Sequence, residues 1–158
     1  MNESNGKTGV HSIELFQTLL PMLEEGKRAV FTVSGMSMWP FICHGRDQVV
    51  VEKCDSAALR VGDIVLFRTP LGNYMLHRVS ALRDGQFEST GDANCFRDGW
   101  FPLESTRARV TSIIRDGRTI DCDSPRWRLA FSVWGALFPV RQPVLRLCKW
   151  LGDKKRGI

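Results

Sequence analysis

Val61-Gly62-Asp63-Ile64-Val65-Leu66-Phe67-Arg68-Thr69-Pro70-Leu71-Gly72-Asn73-Tyr74-Met75-Leu76-His77-Arg78-Val79 sets the pattern of the chain. Val61-Gly62-Asp63 is a turn, and Ile64–Arg68 has the length and apolar content of a buried strand. Thr69-Pro70-Leu71-Gly72-Asn73 carries the Pro and Gly of a hairpin loop. The chain then returns through Tyr74–Leu82, so the two runs pair antiparallel.

The same punctuation continues on both sides. Downstream, Arg83-Asp84-Gly85 turns into Gln86–Ser89, a loop runs from Gly91 to Thr106, and Arg107–Ile114 is a strand. Asp116-Gly117 is a hairpin turn into Arg118–Cys122. Upstream, Ala29–Val33 and the valine-rich Gln48–Glu52 are strands. Short, turn-separated strands predict a mainly β, antiparallel body over residues 29–123. Residues 1–28 hold a polar lead, disordered over 1–9, and a helix over His11–Glu25. Ile13, Phe16, Leu19, Leu20 and Leu23 face one side of that helix, Pro21 interrupts it and Gly26 stops it. Ser124-Pro125 opens a tail, residues 124–158, with short helices at Trp127–Val140 and Val144–Leu151.

The chain has 158 residues, 43% hydrophobic and 25% charged, enough for one folded domain with appendages. Its net charge of +5 is uneven: residues from Arg126 onward carry +7 and the preceding 125 carry −2. A basic tail on a slightly acidic body argues against nucleic-acid binding by the body. In the tail, Trp127, Phe131, Trp134, Phe138 and Trp150 alternate with Arg128, Arg141, Arg146 and Lys149. That mixture over residues 126–151 suits a membrane surface, or helices packed on the β body or on a partner. The five scattered cysteines lack any Cys-x-x-Cys spacing and indicate reduced thiols in a cytoplasmic setting. The polar N-terminus has no signal-peptide core, and no run of apolar residues is long enough to span a membrane. The three histidines are dispersed, and no phosphate- or dinucleotide-binding glycine pattern occurs, so neither metal nor cofactor is expected.

Two residues carry candidate chemistry. Ser37 lies in Val33-Ser34-Gly35-Met36-Ser37-Met38-Trp39-Pro40, directly after a strand, where a Gly- and Pro-containing turn can present a side chain outward. A serine needs a base to become a nucleophile. His77 can be that base, because imidazole accepts a proton near neutral pH. Taken singly, each has a plain structural alternative: a turn serine and a strand histidine.

Four ordered blocks resemble those of signal peptidase I and the related LexA-like self-cleaving peptidases. They are Ser34-Gly35-Met36-Ser37-Met38-Trp39-Pro40, Gly62-Asp63-Ile64-Val65-Leu66-Phe67, His77-Arg78-Val79 and Gly91-Asp92-Ala93-Asn94. The resemblance covers residues 29–114 and implies a signal-peptidase/LexA-like β fold and a serine endopeptidase. Histidine rather than lysine at position 77 resembles the Ser/His branch of archaeal and endoplasmic-reticulum enzymes. Lys53, a lysine that could serve as base, lies in a different strand, outside the base block. That branch implies an aspartate shortly after the Gly-Asp block, which falls on Asp98; it would orient His77. Asp92 is the alternative partner, or else the structural acid of its block. The resemblance also implies an oxyanion hole including the Ser37 backbone N–H, with an upstream serine assisting. Ser34 is that candidate, although Met36 lengthens the usual spacing. A small residue at the cut site is implied as well.

The chain departs from the family in three places. No transmembrane anchor precedes Ser37, Gly45-Arg46-Asp47 interrupts the first Gly-Asp pair, and bulky Trp39 stands beside the turn, where it can shape a groove. The expected substrate is a leader or precursor peptide processed in the cytoplasm, by a protein that is peripheral on the membrane if the tail inserts. A LexA-like self-cleaving regulator and a non-catalytic peptide- or membrane-binding module on the same fold are the alternatives.

Overall fold

A computed structural model describes residues 5–155, with side chains from Glu14 onward. The expected lead over 1–4 and the side chains of His11 and Ile13 lie outside the described residues. The architecture is a mainly antiparallel β sheet with a helix before it and helices after it.

Helix α1 (Asn5–Glu24) begins at Asn5 rather than His11 and runs through Pro21. Eight strands follow: β1 (Ala29–Thr32), β2 (Asp47–Glu52), β3 (Ile64–Arg68), β4 (Tyr74–Arg83), β5 (Gln86–Thr90), β6 (Gly99–Pro102), β7 (Thr106–Arg115) and β8 (Arg118–Asp121). Their order across the sheet is β1-β2-β7-β3-β4-β5-β6. Long β7 pairs with β2 along one edge, while β3 and β8 share its other edge. Asp116 and Gly117 both adopt positive φ, 50° and 73°, as the tight β7–β8 hairpin demands.

β6 is the strand that the sequence reading missed. Gly-Trp-Phe-Pro is too short and too poor in alternation to stand out from the loop around it. It forms because β5 offers it a complete register, from Gln86↔Pro102 to Ser89↔Gly99.

The apolar run of β3 is buried on both faces, as strand periodicity requires. Ile64 and Leu66 join the core built with Phe16, Leu19 and Leu23 of α1. Val65 and Phe67 join a second cluster with Val79 and Phe87. Phe67, Phe87 and Phe101 meet edge-on or tilted, with ring centroids 4.7–5.9 Å apart.

Helix α2 (Pro125–Ala136) and helix α3 (Arg141–Lys155) form the tail. α2 packs on the sheet: Phe131 and Trp134 are buried, and Phe41 meets the rings of Trp127, Phe131 and Trp134. Most of the aromatic residues read as membrane candidates in α2 therefore belong to the protein's own interior. α3 differs, for Leu147, Trp150 and Leu151 stand exposed along one side of it. Among the described residues, no helix is long and apolar enough to cross a membrane.

Candidate active site

β1 delivers the chain into the serine turn. Gly35 takes φ +87°, open to glycine and strained for other residues, and its N–H donates to His44 Nδ1. Met38 and Ile42 then plunge into the core. Just ahead of those two anchors, Met36 is left exposed and Ser37 partly exposed. The Trp39–Pro40 peptide is cis.

Ser37 Oγ lies 3.0 Å from His77 Nε2. His77 is buried in β4, opposite Val65 of β3. Its other ring nitrogen, Nδ1, lies 2.6 Å from Asp98 Oδ2. A hydroxyl, an imidazole and a carboxylate are thus joined in one line, on side chains of which His77 and Asp98 are about nine-tenths buried. Residues that are 40 and 21 positions apart in the chain are brought together.

Asp98 reaches His77 because β6 starts immediately after it. The β5–β6 pairing places Gly99 opposite Ser89, and the Asp98 N–H donates to the Ser89 carbonyl at 2.8 Å. Ser89 Oγ, fully buried, then donates to Asp98 Oδ2 at 2.7 Å. Ser89 went unremarked in the sequence, where nothing distinguishes it from any strand serine; only the missed strand opposite would have pointed to it.

Among the described residues, Asp92 makes no hydrogen bond to His77. It is buried and forms a two-pronged ion pair with Arg78, at 2.7 Å to Nε and 2.6 Å to Nη2. Strand alternation explains the division: His77 and Arg78 are neighbours, so their side chains leave β4 on opposite sides. Asp92 is thus the structural acid of its block. Arg78 also donates to the Gly62 carbonyl at 2.7 Å and lies over the Phe131 ring at 4.0 Å. Ser34 is exposed and, among the described residues, makes no hydrogen bond to Ser37 or His77. Lys53 is on the surface, paired with Glu24.

The loop from Gly91 to Asp98 is held from both sides. The Ala93 N–H donates to the Ser37 carbonyl at 2.9 Å. Gly91 approaches so closely that a Cβ there would sit 2.8 Å from the Ser37 carbonyl oxygen, which excludes any larger residue without displacement. From the tail, Trp134 Nε1–H donates to the Asp92 carbonyl, and buried Arg141 donates to the carbonyls of Gly91 and Asn94. Burial lowers the Arg141 pKa from its ordinary value.

On the far side of the turn, buried Asp47 accepts from Arg46, Arg115 and the Cys43 N–H. The interrupted Gly-Arg-Asp therefore still supplies a structural carboxylate. Burial alone would raise its pKa, but the two guanidinium groups and the N–H outweigh burial and lower it to about 2. Cys122 is pushed the other way, up to about 11, chiefly by burial. No cluster of His, Cys, Asp and Glu among the described residues is arranged to hold a metal ion.

No family model and no curated protein matches the chain.

Proposed function

We propose that this chain is a serine endopeptidase of the signal-peptidase and LexA type that cleaves a leader or precursor peptide. The observation that carries this reading is the unbroken line Ser37 Oγ, His77 Nε2, His77 Nδ1, Asp98 Oδ2, with contacts of 3.0 and 2.6 Å. Those are hydrogen-bond distances suited to proton transfer in a Ser-His-Asp arrangement.

In the reaction, Ser37 Oγ–H donates to His77 Nε2, and the imidazole takes the proton as Oγ attacks the scissile carbonyl carbon. His77 Nδ1–H donates to Asp98, which fixes the ring and stabilises its cationic form. The Ser37 backbone N–H, which donates to no acceptor among the described residues, serves the oxyanion of the tetrahedral intermediate. The imidazolium returns its proton to the departing amine, leaving an acyl-enzyme. His77 then deprotonates water, which attacks the ester, releases the new carboxyl terminus and restores Ser37.

β1 is an edge strand leading directly into the serine turn. An extended substrate can add to that edge and bring its carbonyl to Ser37. The basic, apolar outer side of α3 supports peripheral contact with a membrane surface.

A fluorophosphonate probe and a candidate precursor peptide test the reading. The wild-type protein should label at Ser37 and cleave the peptide, and Ser37→Ala and His77→Ala should each lower turnover by about 10³-fold or more. An unlabelled wild-type protein, or cleavage surviving in Ser37→Ala, overturns it.

A further inference from the structure

A cleft of about 450 Å³ opens between the serine turn and α3. Met36, Trp39 and Ala93 line one side, and Leu145 of α3 the other. Arg146, Lys149 and Asp153 all line its α3 wall. Met36 is the residue before Ser37, and the Ala93 N–H is bonded to the Ser37 carbonyl. The cleft therefore adjoins the nucleophile on two sides without containing its Oγ.

We infer that this cleft is a substrate subsite that takes a large apolar side chain with a carboxylate next to it. The inference rests on the peptidase reading and assigns it a substrate class. A small residue would leave the cleft empty, whereas a phenylalanine or leucine side chain fits both its volume and its lining. Met36 is half exposed and flexible, and Trp39 offers a broad face, so both can close on such a side chain.

The charge follows from what is unpaired. Neither Arg146 nor Lys149 forms an ion pair with a described residue, although most other arginines around the site are paired with carboxylates. Two cations against one Asp153 leave the wall net positive, which selects an acidic neighbour in the substrate. Helical geometry keeps this wall separate from the outer side of α3. Leu145, Lys149 and Gly152 lie about half a turn away from Leu147, Trp150 and Leu151. The small-residue preference implied by the family resemblance does not extend to this subsite.

The test is peptide binding to the full-length Ser37→Ala protein, read by fluorescence anisotropy. Three fluorescein-labelled peptides share one frame: Ala-Ala-Phe-Glu-Ala-Ala, Ala-Ala-Phe-Lys-Ala-Ala and Ala-Ala-Gly-Glu-Ala-Ala. The Phe-Glu peptide should bind about tenfold more tightly than either of the others. In an Arg146→Glu/Lys149→Glu background the preference between Glu and Lys should invert, and in Arg146→Gln/Lys149→Gln it should disappear. Equal affinities for the three peptides overturn the inference. So does self-association that the charge reversal abolishes, which would assign the cleft to a second copy of the chain. Binding is measured without a nucleophile, so an unreactive Ser37 in the wild-type protein would sink the peptidase reading and leave this result interpretable.

Discussion

Ser89 Oγ donates to Asp98 Oδ2 at 2.7 Å, on the same carboxylate oxygen that faces His77 Nδ1 at 2.6 Å. The carboxylate that orients the imidazole is therefore itself held by a fully buried hydroxyl on the neighbouring strand. If Ser37 acts as the proposed nucleophile, Asp98→Asn should lower kcat by about 10³- to 10⁴-fold while leaving the fold intact. Ser89→Ala should lower kcat by about 3- to 10-fold with KM unchanged, and cost about 1 kcal/mol of stability. Steady-state kinetics across pH separates the two roles. A Ser89→Ala enzyme with wild-type kcat and pH profile would reduce Ser89 to a packing residue.

The Arg78–Asp92 pair is enclosed by Gly62, Phe41 and Phe131. Removing either partner leaves the other charge buried and uncompensated. Asp92→Ala or Arg78→Ala should therefore destabilise the protein by about 3–5 kcal/mol in urea unfolding. Arg78→Lys should restore only part of this, because an ammonium cannot replace a planar two-pronged donor. A loss under 1 kcal/mol in both alanine variants would mean that water reaches the pair.

Asp47 sets an acid limit on stability. Its folded pKa of about 2 lies below the ordinary 3.8, so the unfolded chain takes up the proton first as pH falls. The stabilisation is complete above pH ~5 and is lost progressively down to pH ~2. Asp47→Asn should cost about 2 kcal/mol at pH 7 and flatten the acid side of the stability profile. Chemical unfolding between pH 2 and 7 measures both effects, and an unchanged profile in Asp47→Asn would refute them.

The outer side of α3 is where a membrane would be met. Leu147, Trp150 and Leu151 are exposed, and Lys154 Nζ lies 5.0 Å from the Trp150 ring centre. Leu147→Ser/Trp150→Ser/Leu151→Ser should abolish flotation with anionic liposomes without lowering the melting temperature. Deleting residues 125–158 is the wrong test, since it removes Phe131 and Trp134 from the interior along with α3. Flotation retained by the triple variant would rule out this side of α3.

Much of the β body could be read directly from the chain. Ile64–Arg68 matches the expected strand end for end, and Asp116-Gly117 forms the expected hairpin turn. These features rest on the preferences of a few adjacent residues and need no knowledge of the partner strand. Ser37 and His77 were legible as candidate chemistry from residue type and setting. Residue type alone does not separate Asp98 from Asp92, because both lie in one loop; the family resemblance is what puts Asp98 first, and the structure places it 2.6 Å from His77 Nδ1.

The sequence by itself determined seven of the eight described strands, the turns beside them and the residues able to do chemistry, since those follow from local backbone preference and side-chain type. The tertiary structure alone decided which carboxylate meets His77 and which tail residues are interior. β6 pairs with β5 and so carries Asp98 to Ser89 and His77, while Arg78 claims Asp92 on the other side of β4. Phe131 and Trp134 became core, and Trp150 stayed outside, through contacts with Phe41 and the Gly91–Asn94 loop. Each of these outcomes depends on pairing and packing between segments far apart in the chain, and such long-range register is not encoded in any one segment's composition.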